Sequence, residues 1–471
     1  MAIIVVTIII QETSSVEKNK NIAILHYQTG HTDGVSLEIN KWRGVLEKMG
    51  HTIHLCSGDL GMGVGYLIPD LYHHLDEIKT LQRNAFSELT EFDADSLARE
   101  LERVVQRLEM ELCRFIESKN INFFIVNNIW SVGLNLPAAI AVERVRKKYA
   151  LPAIAHHHDF YWERNEGVSP TCKLVEDILK DYFPPKDPLI QHVVINSLAQ
   201  QALADRRGED ARIVPNVFDF SAPAWSVDAY NHDLRARAGI NETDILILQA
   251  TRVIPRKGIE LAIDFVKALN SPQIRSTLMQ NGLYDGRTFT EESRIVIVLS
   301  GYTKDDASGN YLNLLIEKAR EENVDLRHIE TLISHSRNQQ DDSKTYSFWD
   351  TYAVADLITY PSLWEGWGNQ LLEAFQARLP VVLFEYPVYL RDIKQRGFNV
   401  ISIGSTIDGY DQAGLAKINR EKLESAAWEA AIVLTDCEQR RMMVNENHLI
   451  CQKHFSLDAL KTMLTDLIEE Y

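Results

Sequence analysis

Cysteine is scarce in this chain: Cys56, Cys113, Cys172, Cys437 and Cys451 are the only five in 471 residues, and no two form a CxxC. An odd, scattered set argues against a disulfide framework and predicts reduced thiols packed in the interior of a cytoplasmic protein. Long apolar runs are missing too. Met1–Ile10 (MAIIVVTIII) spans about half of a hydrocarbon core at most, and no Lys or Arg precedes it, so it reads as a buried strand or a leader. Stable membrane insertion is therefore not expected. Positive charge is in deficit, with 49 Lys plus Arg against 66 Asp plus Glu and a formal net charge of −17. That balance disfavours nucleic acid or an anionic membrane as a partner, while a small anionic ligand needs only a local positive pocket. No internal repeat or low-complexity tract is present.

What is there is an alternation of apolar strands and amphipathic helices. The stretch from Asn21 to Gly58 reads as strand (IAILHY), polar loop, helix (VSLEINKWRGVLEKMG) and second strand (HTIHLCSG). A βαβ unit of this kind implies a parallel sheet. The pattern continues through a helix near Ser96–Lys119, the strand NFFIV, a helix from Pro137 to Tyr149, and the strands PAIAHHH and HVVIN. Asp93 and Asp95 open the first of these helices and read as a cap, not as a metal-binding pair. After the proline-bearing segment ARIVPNVFDFSAPAW the alternation restarts with DILILQAT and GIELAIDFVKAL. The fold class is thus α/β: two doubly wound Rossmann-like domains over 1–217 and 218–450, followed by a C-terminal helix at 451–471 packing back on the first. Ligands of such folds bind in the cleft at the carboxyl ends of the strands.

The strongest local signal lies at the end of a predicted strand, in Pro361-Ser362-Leu363-Trp364-Glu365-Gly366-Trp367-Gly368-Asn369-Gln370-Leu371-Leu372-Glu373. Two glycines permit a tight turn, and a helix opening near Asn369 would aim free amides at a phosphate or hydroxyl. Glu365 and Glu373 would lie about 80° apart on one continuous helix, so they converge on one ligand only if Glu365 sits in the loop. Arg252 and Lys257 occupy the first βα turn of the second domain, where they could flank a diphosphate without any metal. The competing reading is a solvated basic loop.

In several features that occur in one order, the chain resembles the family 4 glycosyltransferases of the retaining, GT-B type. These are the glutamate pair with seven residues between (EGWGNQLLE), the preceding Pro361-Ser362, the following AFQARLPVV, the R-x4-KG turn, the VPN linker, and the opening TDGVSLEINKWRGVLEKMGHTI. The resemblance spans essentially the whole chain. It implies a metal-independent enzyme without a cofactor, which moves a sugar from a nucleotide diphosphate sugar to a small or carbohydrate acceptor. Within it Lys257 and Arg252 would bind the diphosphate, Glu365 the transferred sugar and Glu373 the ribose. The backbone of Gly366, Trp367, Gly368 and Asn369 would complete the donor site, with Gly34 allowing close approach from the first domain. A family histidine at a strand end before Asp or Asn matches His158, with His157 second.

His156-His157-His158 also invites a metal reading, but strand alternation places His156 and His158 on one face and His157 on the other. Tyr161, Trp162 and Arg164, with Asn128 at another strand end, are acceptor candidates, because aromatic faces stack on sugars and Arg pairs with anions. A packed aromatic cluster is the alternative there. Gly61-Met62-Gly63-Val64-Gly65 follows the second strand, not the first, and is discounted as a dinucleotide fingerprint. The same fold hosts sugar-nucleotide epimerases and could host a non-catalytic sugar-nucleotide binder, so both stand as alternatives.

Overall fold

The computed structural model describes residues 19–31, 33–163, 169–340 and 343–470; Met1–Ile10 and Arg164 lie outside these. The first domain contributes β1 (Asn21–Gln28), β2 (Thr52–Asp59), β3 (Tyr66–Leu67), β4 (Phe123–Asn127), β5 (Ala153–His157), β6 (Ile190–Val194) and β7 (Ala211–Ile213). They form one sheet in the order β3-β2-β1-β4-β5-β6-β7, parallel throughout. The second domain contributes β8 (Ile245–Gln249), β9 (Ile295–Leu299), β10 (Asp325–His328), β11 (Ile333–Ser334), β12 (Asn338–Gln340), β13 (Ser343–Ser347), β14 (Leu357–Tyr360), β15 (Val381–Leu383) and β16 (Ile401–Ser402). Its main sheet runs β10-β9-β8-β14-β15-β16, with β11, β13 and β12 forming a small separate sheet.

Both sheets are two doubly wound α/β layers, as the sequence alternation requires. β4, β5, β8 and β9 are buried along their whole length, because helices cover both faces of a parallel sheet. One face of the first sheet packs on the helices Ala94–Lys119 and Leu136–Lys148. The Ala94 helix starts at Asp93, whose carboxylate and Ser96 form a capping box. The other face packs Ile22, Ile24 and Phe123 on Trp42, and on Leu460, Leu464 and Leu467 of the helix Leu457–Ile468. The chain therefore returns from the second domain to close the first. Phe218 donates its amide to the Phe455 carbonyl at 2.8 Å, where the two crossing segments meet.

Cys56 and Cys451 are buried and Cys113 and Cys172 partly so, but Cys437 is exposed. It does not pack as the composition suggested, because it stands at the first position of the helix Cys437–His454, directly after its Asp436 cap.

In each main sheet the strand order reverses beside its first strand. The first reversal separates β1 from β4, and the second separates β8 from β14. At such points neighbouring loops diverge and leave a crevice. The loops after β1, β4, β8 and β14 carry most of the residues singled out in the sequence.

Candidate active site

The loop after β8 closes in a short 3-10 turn, Pro255–Lys257, beside the loop Pro361–Gly368 that follows β14. The Leu363 amide donates to the Arg256 carbonyl at 2.9 Å, which fixes the two loops side by side. Lys257 is 2% exposed, and an ammonium so buried needs a counter-charge. Its Nζ donates to Oε1 of Glu365. Arg256 takes the other oxygen, Nη1 to Oε2 at 3.0 Å, and also donates to the Trp364 carbonyl at 3.1 Å. Arg252 is turned outward to Asp305, 2.5 Å away.

One carboxylate shared by two cations sets the electrostatics. Burial opposes ionisation of Glu365, but Lys257 and then Arg256 outweigh it and hold the carboxyl at about 2. Lys257 has a single carboxylate against burial and two neighbouring guanidinium groups. Burial dominates, and its ammonium drops to about 8.

The Asn369–Gln376 helix starts directly after this loop, so Glu365 is a loop residue and Glu373 a helical one. Gly368 has φ 128°, and a Cβ there would collide with the Tyr386 hydroxyl. That hydroxyl donates to the Trp367 carbonyl at 2.6 Å. The Trp367 indole itself is 4% exposed and meets Phe455 edge-on at 5.4 Å. As a donor residue Trp367 can therefore offer only backbone, because its side chain belongs to the core. Glu373 is buried and accepts from the Tyr352 hydroxyl at 2.6 Å, while burial raises its carboxyl. With Asn369 and Leu372 it walls a cavity of about 400 Å³ whose far side is Asn40, Lys41 and Lys48 of the helix Gly34–Lys48.

The first domain meets this loop across the cleft. Asn196 Nδ2 donates to the Gly366 carbonyl at 2.7 Å, and Asn216, in the VPN linker, donates to Asn369 Oδ1 at 2.8 Å. A Cβ on Gly34 would come within 3.3 Å of Asn369 Nδ2, a tight approach to that side chain. The helix that Gly34 opens is already capped: Asp33 Oδ1 accepts from the Val35 and Ser36 amides at 3.1 and 3.0 Å.

His158 follows β5, with its carbonyl 3.9 Å from the position of a Cβ on Gly366. Its amide donates to Asn128 Oδ1 at 2.8 Å, and its ring lies tilted at 42° against His156, centroids 4.2 Å apart. Burial, with His26 adding to it, lowers the His158 imidazole to about 3, so the ring is neutral. His157 points the other way, bonded to His192 at 3.0 Å, as strand alternation requires. That places the His157 side chain away from His158.

The remaining acceptor candidates separate. Trp162 stacks on Phe160 at 4.4 Å and 7°, and Arg206 lies over its ring at 5.6 Å. The Trp162 ring is thus partly buried in the small cluster around Phe160. Tyr161 packs against the first-domain core and donates its amide to the Ser131 carbonyl at 2.7 Å. Asn128 adopts φ 58°, and its side-chain oxygen accepts the His158 amide. Sequence reasoning passed over Arg256, Asn196 and Asn216. Arg256 was visible as a second cation in the same turn and Asn216 as the last residue of the VPN segment, whereas nothing local marked Asn196.

Residues 231–445 match the family model described as glycosyl transferases group 1. The chain is 38% identical over 415 residues to the mannosylglucosylglycerate synthase of Petrotoga mobilis, covering 88% of this chain and 93% of that protein. It is 36% identical over 446 residues to the mannosylglucosylglycerate synthase of Thermotoga maritima, covering 94% and 98%. Among solved structures, a glycosyltransferase from Rickettsia africae superposes with a TM-score of 0.59 at 14% identity, covering 96% of this chain and 98% of that one.

Proposed function

The chain belongs to the glycosyl transferases group 1 family and is a glycosyltransferase of GT-B fold, and from that premise we propose that it joins a mannosyl group to glucosylglycerate. The donor in this reading is a nucleotide diphosphate mannose, the transfer retains anomeric configuration, and no divalent metal takes part. The observation that carries it is the cluster of Lys257, Arg256 and Glu365 at the second switch point, facing His158 across the cleft. The two relatives similar over nearly their whole length supply the sugar and the acceptor.

In the transition state the sugar approaches an oxocarbenium ion while negative charge grows on the departing diphosphate. Lys257 and Arg252 are the cations assigned to that charge, and the N-terminus of the Asn369 helix adds its dipole. Glu365 contacts the transferred sugar, and Glu373 accepts hydrogen bonds from the ribose. His158, neutral at working pH, borders the anomeric side. The leaving phosphate itself accepts the acceptor's proton, so a second carboxylate on the opposite face is not required. Asn196 and Asn216 hold the domains together over the donor, which limits hydrolysis by water.

The test is a panel of UDP-, GDP- and ADP-mannose with glucosylglycerate in EDTA, followed by mass and NMR analysis of the product. Formation of an α-linked mannosylglucosylglycerate from an α-donor with release of nucleoside diphosphate is the expected result. Conversion of the donor to an epimer without release, or loss of activity in EDTA that a divalent ion restores, overturns the corresponding part of the reading.

A further inference from the structure

Assigning Lys257 to the donor diphosphate leaves a charge to be accounted for. Before donor binding its ammonium is committed to Oε1 of Glu365, a carboxylate that is 7% exposed. A diphosphate arriving beside this pair competes for the same ammonium. If Lys257 turns toward it, Glu365 becomes a buried anion beside further negative charge, an arrangement that proteins avoid unless another cation remains. If Lys257 stays, the diphosphate loses one of its two cations.

Arg256 resolves this conflict. Its Nη1 lies 3.0 Å from Oε2, the oxygen that Lys257 does not use. The same nitrogen donates to the Trp364 carbonyl at 3.1 Å, and the guanidinium lies over the Trp364 ring with its central carbon 5.9 Å from the centroid. Arg256 is thus tethered to the loop that carries Glu365 and moves with it. Its amide chain is tethered as well, since the Arg256 carbonyl accepts the Leu363 amide at 2.9 Å. A guanidinium keeps its proton at any working pH, whereas a buried lysine need not. Arg252 cannot substitute, being held by Asp305 at the other side of the turn.

We infer that Arg256 is a positioning residue: it keeps the Glu365 carboxylate in place against the transferred sugar while Lys257 turns from that carboxylate to the diphosphate of the donor. The inference rests on the functional reading above, and it adds a division of labour between two adjacent cations. Lys257 exchanges partners during the catalytic cycle, and Arg256 does not.

The experiment compares wild type, Arg256→Gln and Arg256→Lys in full-length enzyme. It measures kcat and KM for the donor, nucleoside diphosphate affinity by calorimetry, and pH dependence, with thermal melts to establish folding. For Arg256→Gln, kcat should fall about 30- to 100-fold, the loss typical of a displaced reacting group, with donor KM and diphosphate affinity within about threefold. The pH profile should also move. Arg256 helps to hold the Glu365 carboxyl down, and it also pushes the Lys257 ammonium down. Removing it shifts both limbs upward; Tyr360 and Tyr386, the phenols bordering Glu365, titrate well above that range and do not blur them. Arg256→Lys, which keeps the charge, should recover most of kcat and the wild-type profile, and it decides the matter if the glutamine variant does not fold.

A weakened diphosphate affinity with kcat retained would overturn the inference, since Arg256 would then be a direct phosphate ligand. Unchanged kcat, KM and pH profile would overturn it as well. If wild type itself transfers no sugar from any nucleotide sugar, the functional reading fails, and the inference with it.

Discussion

The ammonium of Lys257 and the carboxylate of Glu365, 108 residues apart in the chain, are bonded to each other at the ends of two adjacent strands. Neither group is accessible enough for water to replace its partner. Removing one side of a buried pair leaves the other uncompensated, which costs roughly 3–5 kcal/mol, whereas replacing both by apolar or neutral groups is often tolerated. Lys257→Met and Glu365→Gln should therefore each lower the melting temperature clearly, and the double variant should melt closer to wild type than their sum. All three should lose at least about a hundredfold in kcat, because the diphosphate ligand or the sugar contact is gone. Stability restored together with activity would remove both assignments.

Lys257 also sets a pH dependence. A lysine is charged below its pKa, and this one titrates at about 8, so the ammonium needed for the diphosphate is lost as pH rises through that value. Transfer rate should fall on the alkaline side near pH 8. Arg at this position does not deprotonate, so Lys257→Arg, whatever its absolute rate, should lack that limb. An alkaline limb that persists unchanged in Lys257→Arg would place the titrating group elsewhere. On the acid side no limb near the usual histidine value should arise from His158, since burial keeps the ring neutral down to about 3.

The sequence was most legible where local physics decides. DILILQAT and RIVIVLSG read as strands because both faces of a parallel sheet are buried, and β8 and β9 are apolar throughout. The loop position of Glu365 followed from the glycines that precede the helix. What stayed hidden depends on contacts distant in sequence. Asn196 reaches Gly366 across 170 residues and Asn216 reaches Asn369 across 153, and no local periodicity encodes either. Trp162, an aromatic beside a predicted site, reads in the sequence as a sugar platform, and in the structure its ring lies against Phe160 and Arg206. The small sheet of β11, β12 and β13 escaped because its strands are short and polar, with Asn, Gln, Lys and Ser where alternation should show.

Asn128 offers a test of how His158 is held. Its φ of 58° is one that a non-glycine residue adopts at a cost, and its side-chain oxygen accepts the His158 amide at 2.8 Å. Asn128→Gly keeps the backbone freedom and loses the hydrogen bond; Asn128→Ala loses both. Glycine should therefore be the milder change in thermal stability, by roughly 1 kcal/mol. Both should lower kcat by a similar factor of about ten if the hydrogen bond positions His158, an effect equivalent to one lost hydrogen bond. A kcat that follows stability instead, normal in the glycine variant, would show that His158 needs no such clamp.

Glu373 is the group whose role can be read from binding alone. Its carboxylate is buried, accepts from Tyr352 at 2.6 Å through Oε2, and stands at the wall of the cavity shared with Asn369. A site built to accept from a hydroxyl discriminates against a ligand that lacks it, and a hydrogen bond to a charged group is worth about 1.5–3 kcal/mol, or roughly 10- to 150-fold. Wild type should bind a ribonucleoside diphosphate more tightly than its 2′-deoxy or 3′-deoxy counterpart by a factor in that range. Glu373→Ala should weaken the ribonucleotide and abolish the preference, while Tyr352→Phe, which frees the carboxylate to move, should reduce it partly. Calorimetric titration of the three proteins with the matched nucleotides measures this directly. If Glu373→Ala discriminates as wild type does, the ribose is bound by other groups, and the carboxylate serves the packing of the Asn369 helix against Tyr352.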